Sequence, residues 1–200
     1  MMNTLARMMA TVAMLSALAT QAQQTAPDAL VKSTVNEVLA VIKQTKDAKA
    51  LVDLAEKKVL AQFDFKEMTR LATGRAWSQA SAAQQQALER GFRTLLVRTY
   101  TTALSQSSGE TKVEVKPVAL KAGDTATMVR TVVTEPGRKP FAIDYRMWVT
   151  PAGWRVYDVT VENLSLVTNY RSSFASEIGR SGIDGLIKVI EDKNRKSSTG

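Results

Sequence analysis

The chain has 200 residues, a formal net charge of +8, and neither histidine nor cysteine. Without them the chain lacks the usual general base, the thiolate nucleophile and the common zinc ligands, which excludes hydrolases of the Ser-His and Cys-His types. The positive charge favours polyanionic partners, but the basic residues are dispersed and form no stripe with interleaved aromatic residues, which disfavours nucleic acid. Anionic lipid headgroups and acidic protein surfaces remain as partners.

The N-terminus has the pattern of a secretory signal peptide. Arg7 precedes an uncharged apolar run over residues 8–18, and small residues then permit cleavage after Ala19 or, preferably, after Ala22. The run is too short to span a bilayer, so we expect export. The predicted division of the chain is a signal peptide at 1–22, a single domain at 23–192 and a disordered polar tail at 193–200.

The first half of the domain has the periodicity of amphipathic helices. Apolar residues recur at helical spacing over residues 30–42 behind the candidate cap Asp28, and a shorter helix is predicted over residues 51–60. Asp64 and Glu67, three residues apart, predict a capping box for a third helix.

Two further signals divide this helical region. Gly74 is placed to end the third helix, and Ser81 is a candidate cap for the next one. From Ser81 to Leu104 the apolar spacing predicts one long amphipathic helix of about 35 Å.

The second half changes to the period of β-strands, separated by turns rich in glycine and proline. The four predicted strands are Val113–Val115, Thr127–Val133, Phe141–Val149 and Trp154–Val161. A helix follows from about Leu166, and Gly182 opens a last one. This order predicts an α+β domain in which a helical layer packs on one face of a four-stranded antiparallel sheet.

The stretch from Trp154 to Phe174 runs a strand into a helix through an apolar corner, and it reads W-R-V-Y-D-V-T-V-E-N-L-S-L-V-T-N-Y-R-S-S-F. It resembles the signature W-x-V-x-D-V-x-x-E-G-V-S-L-V-x-N-Y-R-S-x-F of the MlaC family, also called toluene-tolerance proteins. Asn163-Leu164 stands where the family has Gly-Val, and asparagine tolerates the left-handed backbone nearly as well as glycine does. Weaker matches upstream extend the similarity from about Phe63 to Ile190.

The resemblance implies a periplasmic phospholipid carrier with an internal lipid-binding cavity between helices and sheet. Such a carrier shuttles phospholipids between the outer and inner membranes and maintains outer-membrane lipid asymmetry. The implied partners are an outer-membrane lipoprotein–porin complex and an inner-membrane ABC transporter with its substrate-binding ring protein, besides transient contact with both membranes. No catalytic activity, cofactor or metal is expected.

Residues at the expected junction of helices and sheet are candidates for contact with the acyl tails. These are Phe92, Leu96, Tyr100, Val129, Ile143, Tyr145, Met147, Leu164, Leu166, Tyr170 and Phe174. For each of them, ordinary core packing is the simpler alternative. Arg146 and Arg171 are the headgroup candidates. For both, a structural ion pair is the favoured interpretation, Arg171 with Asp158 or Glu162 and Arg146 with Asp144 or a neighbouring strand.

Two other classes of protein fit the same sequence. One is an exported adaptor without a small ligand, whose apolar residues only form the core. The other is an enzyme on an α+β scaffold of the nuclear-transport-factor type, which hosts binders and catalysts alike. The lack of histidine and cysteine weighs against the enzyme.

Overall fold

A computed structural model of the protein describes residues 25–45, 47, 53, 55–105 and 110–196. The predicted signal peptide at 1–22, the end of the predicted tail at 197–200 and residues 51, 52 and 54 of the predicted second helix lie outside these residues. The helices are α1 (Pro27–Gln44), α2 (Phe65–Thr73), α3 (Ala76–Gln79), α4 (Ala82–Ser105) and α5 (Leu166–Lys196), and a π-helical turn (Ala55–Val59) and a 3-10 turn (Leu60–Gln62) precede α2. The strands are β1 (Lys112–Val115), β2 (Ala126–Thr134), β3 (Phe141–Thr150), β4 (Gly153–Val161) and β5 (Leu164–Ser165).

The strands form one antiparallel sheet in the order β1-β2-β3-β4-β5. In the register, Tyr145 of β3 lies between Val129 of β2 and Val159 of β4, which places all three side chains on one face. The predicted α+β class is confirmed, but the sheet has five strands. The fifth has only two residues, which is too short to show alternation in the sequence.

Helix α1 packs on this apolar face. Val31 and partly buried neighbours on α1 join a cluster of sheet residues that we call the sheet cluster. Its other buried members are Val129, Met147, Trp154, Val156 and Val159. The prediction that Asp28 caps α1 is wrong, because the helix begins at Pro27 behind Ala26. The Asp28 carboxylate instead accepts a hydrogen bond at 3.2 Å from the N–H of Val118 and so ties the helix to the β1–β2 connection.

The remaining long helices pack mainly on one another beside β4. Their buried side chains form a second apolar group, which we call the helical cluster. Its members include Phe65, Met68, Trp77, Leu88, Phe92, Leu96, Phe174, Leu186 and Ile190. Phe63, just before α2, contacts both clusters and forms a parallel bridge to Val156 of β4.

Half of the predicted capping box at α2 forms. The Asp64 carboxylate accepts a hydrogen bond at 2.9 Å from the N–H of Glu67. The N–H of Asp64 is already occupied, since it donates to the carbonyl of Val156 at 2.8 Å. The Glu67 carboxylate therefore turns to Arg70, at 2.6 Å. Gly74 ends the helix with a φ of 59°, as predicted.

Helix α5 changes direction at Gly182, whose φ of 72° and ψ of −173° lie outside the helical region. Three contacts with α4 trace its path: Tyr170 lies beside Thr99, Asp184 beside Gln84, and Asn194 beside Arg98. The first part of α5 therefore runs antiparallel to α4 and the second part runs parallel to it. The predicted boundary at Gly182 is confirmed. The helix continues to Lys196, four residues into the segment predicted to be a disordered tail.

The tryptophan residues occupy three environments. Trp77 belongs to the helical cluster and Trp154 to the sheet cluster. Trp148 lies on the opposite face of β3 from Met147, where its Nε1–H donates to an Asp64 carboxylate oxygen at 3.1 Å. Within the described part of the chain, no helix has both the length and the apolar content needed to cross a membrane.

Candidate functional site

The structure divides the predicted tail-contacting residues between the two clusters. Phe92, Leu96, Tyr100, Tyr170 and Phe174 lie in or against the helical cluster. Val129, Ile143, Tyr145, Met147 and Leu166 lie in or against the sheet cluster. Leu164 belongs to neither and is 73% exposed.

Some of these residues contact protein on all sides in this conformation. Phe92, Val129 and Met147 have no exposed surface. The ring of Phe92 meets those of Tyr170 and Phe174 edge-on, with centroids 5.0 Å and 5.2 Å apart. Such contacts are what a packed core requires, so these side chains fix the walls of each cluster.

A set of apolar side chains lies between the two clusters. We call it the apolar strip, and it consists of Ile143, Tyr145, Val161, Leu164, Leu166 and Tyr170. Strand pairing places Ile143 opposite Val161, and Val161 opposite Leu164, on one face of the sheet. Tyr170 follows Leu166 by one helical turn, so both lie on one side of α5. Val161 was not among the predicted site residues, although its alternation with Val159 across Thr160 placed it on this face.

The corner between β4 and β5 holds Leu164 at the end of the strip. Glu162 and Asn163 have φ values of 47° and 67°. Positive φ at two successive residues is typical of the tight hairpin turn that matches the twist of antiparallel strands. Asn163 therefore adopts the left-handed backbone expected of it, and the turn presents Leu164 to solvent.

A buried carboxylate fastens the start of α5 to β4. Asp158 is 3% exposed and accepts hydrogen bonds from the Ser165 hydroxyl at 2.6 Å and from the N–H of Val167 at 3.1 Å. Both groups satisfy the carboxylate, and no ion pair joins it to Arg171. The Arg171 side chain is exposed and lies against Gly74, where a Cβ would be 3.5 Å from a guanidinium nitrogen.

The predicted ion pair of Arg146 does not form either. Arg146 points away from the apolar strip, because it alternates with Tyr145 along β3. Its guanidinium carbon lies 5.5 Å from the ring centroid of Tyr157, and no salt bridge joins it to Asp144. The two headgroup candidates therefore lie outside the strip, on different elements.

The tyrosines of this region have neutral hydroxyl groups at physiological pH. Burial raises the pKa of Tyr145 to about 12, with a smaller contribution from the charge of Asp144 and an opposing one from a hydrogen bond with Thr131. Burial also raises the pKa of Tyr100 and of Tyr170. Each ring thus places a neutral hydrogen-bonding group at the end of an apolar body.

Two open pockets lie elsewhere and include no residue of the strip. One, of about 500 Å³, is lined by residues such as Lys43, Lys112 and Glu135. The other, of about 490 Å³, lies between α2, α4 and the end of the sheet and includes Arg93 and Arg155. Charged groups line both pockets, so neither has the character of a site for acyl chains. The internal cavity stays a prediction.

The same architecture occurs in a protein that holds a lipid. The solved structure of the phospholipid-binding protein from Ralstonia solanacearum, in complex with a phospholipid, is similar to this chain with a TM-score of 0.79 and 37% sequence identity. The similarity covers 86% of this chain and 98% of that one. The model of the family described as MlaC protein matches residues 32–192. The chain therefore belongs to the MlaC family, and the resemblance seen in the sequence is confirmed. No curated protein matches it.

Proposed function

We propose that this protein binds a phospholipid and carries it through the periplasm between the outer and inner membranes, which maintains the lipid asymmetry of the outer membrane. The main support is the solved phospholipid complex, which is 37% identical to this chain over 86% of its length. The apolar strip gives the proposal a location, because its partly buried side chains lie between the two apolar clusters.

The acyl tails impose a strict condition on such a carrier. Each methylene group left in water costs about 0.8 kcal/mol, so both tails must be covered nearly completely. In the proposed mechanism the helical cluster and the sheet cluster separate along the apolar strip. The tails then replace the contacts that the two clusters make with each other. Phe63 and Leu166 lie where the clusters meet, and they contact the acyl tails when the clusters separate.

The headgroup lies at the exposed end of the strip beside Leu164 in this proposal. Arg171 directly follows Tyr170 on α5, has an exposed side chain and forms no salt bridge with a described carboxylate. It therefore remains the better placed headgroup candidate, while Arg146 faces away. A weak grip on the headgroup suits a shuttle, because a carrier that must release its lipid gains nothing from a buried ion pair.

The proposed route requires export and two docking events. The signal peptide at 1–22 directs the protein to the periplasm. An outer-membrane lipoprotein–porin complex exchanges lipid with it at one membrane, and an ABC transporter with its substrate-binding ring protein exchanges lipid with it at the other. The protein itself performs no covalent chemistry in this scheme.

Native mass spectrometry tests the central claim. Protein expressed with its signal peptide in a Gram-negative host should show one or more added diacyl phospholipid masses under native conditions. These masses should disappear under denaturing conditions, and solvent extraction should recover the lipids. Protein that is always empty, and that takes up no labelled phospholipid from vesicles, would contradict the carrier function and favour the adaptor.

A further inference from the structure

The face of the sheet opposite α1 carries a group of arginine and aromatic side chains. We call it the outer sheet face, and it consists of Met128, Arg130, Arg146, Trp148, Arg155 and Tyr157. Each alternates along its strand with a member of the sheet cluster or its partly buried neighbours, so these six point away from that cluster. Helix α1 packs on the other side of the sheet, and Asp64, just before α2, contacts this face at Trp148.

The aromatic rings on this face are held in place. The ring centroids of Trp148 and Tyr157 are 5.8 Å apart, and the guanidinium carbon of Arg146 lies 5.5 Å from the centroid of Tyr157. The hydrogen bond from Trp148 Nε1 to Asp64 fixes the indole from the other side. The two rings and Arg146 are therefore preorganised and have little side-chain entropy left to lose on binding.

The arginines of this face differ from the paired arginines elsewhere. Four salt bridges join an arginine to a carboxylate three residues away, namely Arg70–Glu67, Arg138–Glu135, Arg180–Glu177 and Arg195–Asp192. Arg130, Arg146 and Arg155 form no salt bridge with a described carboxylate. Asp144 faces Arg130 across the strands without an ion pair, and Asp158 is occupied by Ser165 and Val167. The outer sheet face thus has three guanidinium groups without an ion pair to a described residue, beside the carboxylates of Asp144 and Asp158.

We propose that the outer sheet face is a docking surface for an acidic region of a protein partner. Guanidinium groups bind carboxylates in a two-pronged geometry, and arginine, tyrosine and tryptophan are the residues enriched in the energetically dominant parts of protein interfaces. The charged pocket of about 490 Å³ begins beside Arg155 and extends the surface toward Arg93 and Lys66. It offers space for a side chain of the partner at the edge of the interface.

The geometry favours a protein over a membrane surface. A membrane-binding face inserts apolar side chains beside its basic residues. Here the two rings lie in contact with each other, and the indole N–H is committed to Asp64. Met128 is the large apolar side chain exposed on this face, and its exposed fraction is only 38%. Because the apolar strip lies on the opposite face, a partner can dock here while the lipid path stays open.

Photo-crosslinking in the bacterium that carries the protein tests the proposal. A photoreactive amino acid replaces Met128, and the cross-linked product is identified by mass spectrometry. We expect one or a few periplasmic or periplasm-facing proteins whose contact region is acidic. The double variant Arg130→Gln and Arg146→Gln should lower the yield by roughly tenfold, as should a rise in salt from about 0.05 M to about 0.5 M. The matched control is Arg75→Gln with Arg90→Gln, two exposed arginines in the turn before α3 and on α4, and it should leave the yield unchanged.

Several results would overturn the proposal. Cross-links to phospholipid would make this face a membrane contact, and cross-links to a second copy of the chain would make it a self-association surface. An unchanged yield in the Arg130/Arg146 variant would remove the role of charge. Lipid content measured in protein with unaltered arginines separates this test from the carrier function. Cross-links without bound lipid in that protein would contradict the carrier alone, and bound lipid without cross-links would contradict the docking surface alone.

Discussion

Leu164 has an unusual combination of exposure and fixed position for so large an apolar residue. Its side chain is 73% exposed, yet pairing with Val161 fixes its backbone on one side and the Asp158 contacts fix the start of α5 on the other. A single exposed leucine is common on protein surfaces, so its exposure alone assigns it no role. The proposed function gives it one, since acyl methylenes at the end of the strip would contact Leu164.

The variant Leu164→Glu tests this contact. Without lipid, the carboxylate remains in water and the fold loses little. With lipid, the carboxylate must be buried beside hydrocarbon or the tail must be exposed, so the cost falls on the complex. We expect a folded protein that melts close to lipid-free wild type but retains far less phospholipid, measured by native mass spectrometry. Leu120→Glu is the matched control, because Leu120 is 39% exposed and lies outside the strip.

Either of two outcomes would remove Leu164 from the site. Full lipid occupancy in Leu164→Glu would mean that tails do not reach the corner. Failure of the variant to fold would mean that Leu164 is needed for packing that its exposure does not reveal.

Asp158 should contribute more to stability than a surface carboxylate. In Asp158→Ala the N–H of Val167 and the Ser165 hydroxyl lose their acceptor in a buried position, which costs about 1–3 kcal/mol. We expect this loss in urea unfolding followed by circular dichroism. Ser165→Ala should cost less, about 1 kcal/mol, because Val167 keeps its partner and the loss is limited to the cap of Thr168 and the bond to Asp158. Equal losses would contradict the role given to Asp158.

Tyr145 should make the protein less stable in alkali. The pKa of its phenol is about 12 in the folded protein, against 10.0 for an unperturbed tyrosine. Below pH 10 the phenol is neutral in both states and its contribution is fully present. Between pH 10 and 12 the unfolded chain ionises first, so the free energy of unfolding falls with rising pH by up to about 3 kcal/mol.

The variant Tyr145→Phe isolates this effect because it keeps the ring and removes the ionisation. Its melting temperature should fall less steeply than that of wild type above pH 10, measured by differential scanning calorimetry. Some slope should remain, since the pKa values of Tyr100 and Tyr170 are raised in the same direction. Identical slopes for wild type and variant would contradict the burial of the Tyr145 hydroxyl.

At the scale of elements, α4 and α5 approach each other closely at Gly91 of α4. A Cβ at this position would be 2.9 Å from Cγ2 of Ile190, a fully packed and β-branched side chain that cannot turn away. Gly91→Ala should therefore destabilise the protein by about 1–3 kcal/mol in urea unfolding, despite the better helix propensity of alanine. Gly179→Ala on α5 is the control. A Cβ there meets nothing within 4 Å, so this variant should be neutral or more stable by up to about 1 kcal/mol.

Element boundaries were largely predictable because they depend on local signals. Gly74 and Gly182 supply backbone angles that other residues adopt poorly, and Ser81 and Gln84 form the reciprocal cap that opens α4. Alternation located the four longer strands. The two-residue β5 gave no such signal, since its pairing depends on a turn and on the strand already in place.

The packing of one element against another was less predictable. The apolar stripe of α4 shows that one face is buried, but any other apolar face can cover it. The structure packs α4 against α2 and α5. Phe92 and Tyr145 therefore belong to different clusters, although both were predicted to line the same lipid-binding cavity. The role of Asp158 was missed for a similar reason. A buried aspartate suggests an arginine partner, and only the folded chain shows that a hydroxyl and a helix N-terminus occupy it.

At the scale of the whole molecule, tail burial and surface charge should separate experimentally. If hydrocarbon burial holds the lipid, loaded protein washed in about 1 M salt should retain it, because screening weakens exposed charges but not apolar contacts. Phospholipid recovered by solvent extraction before and after the wash measures the retention. Release of lipid by salt alone would mean that headgroup ion pairs, not tails, provide most of the binding energy.

The three tryptophans give this chain an internal set of optical reporters, one in each of its structural regions. The emission of Trp77 depends on the packing of the helices, that of Trp154 on the sheet cluster, and that of Trp148 on the outer sheet face. Variants that keep one indole and replace the other two with phenylalanine would each emit from a single place. Fluorescence could then follow loading, docking and unfolding separately, without an attached dye.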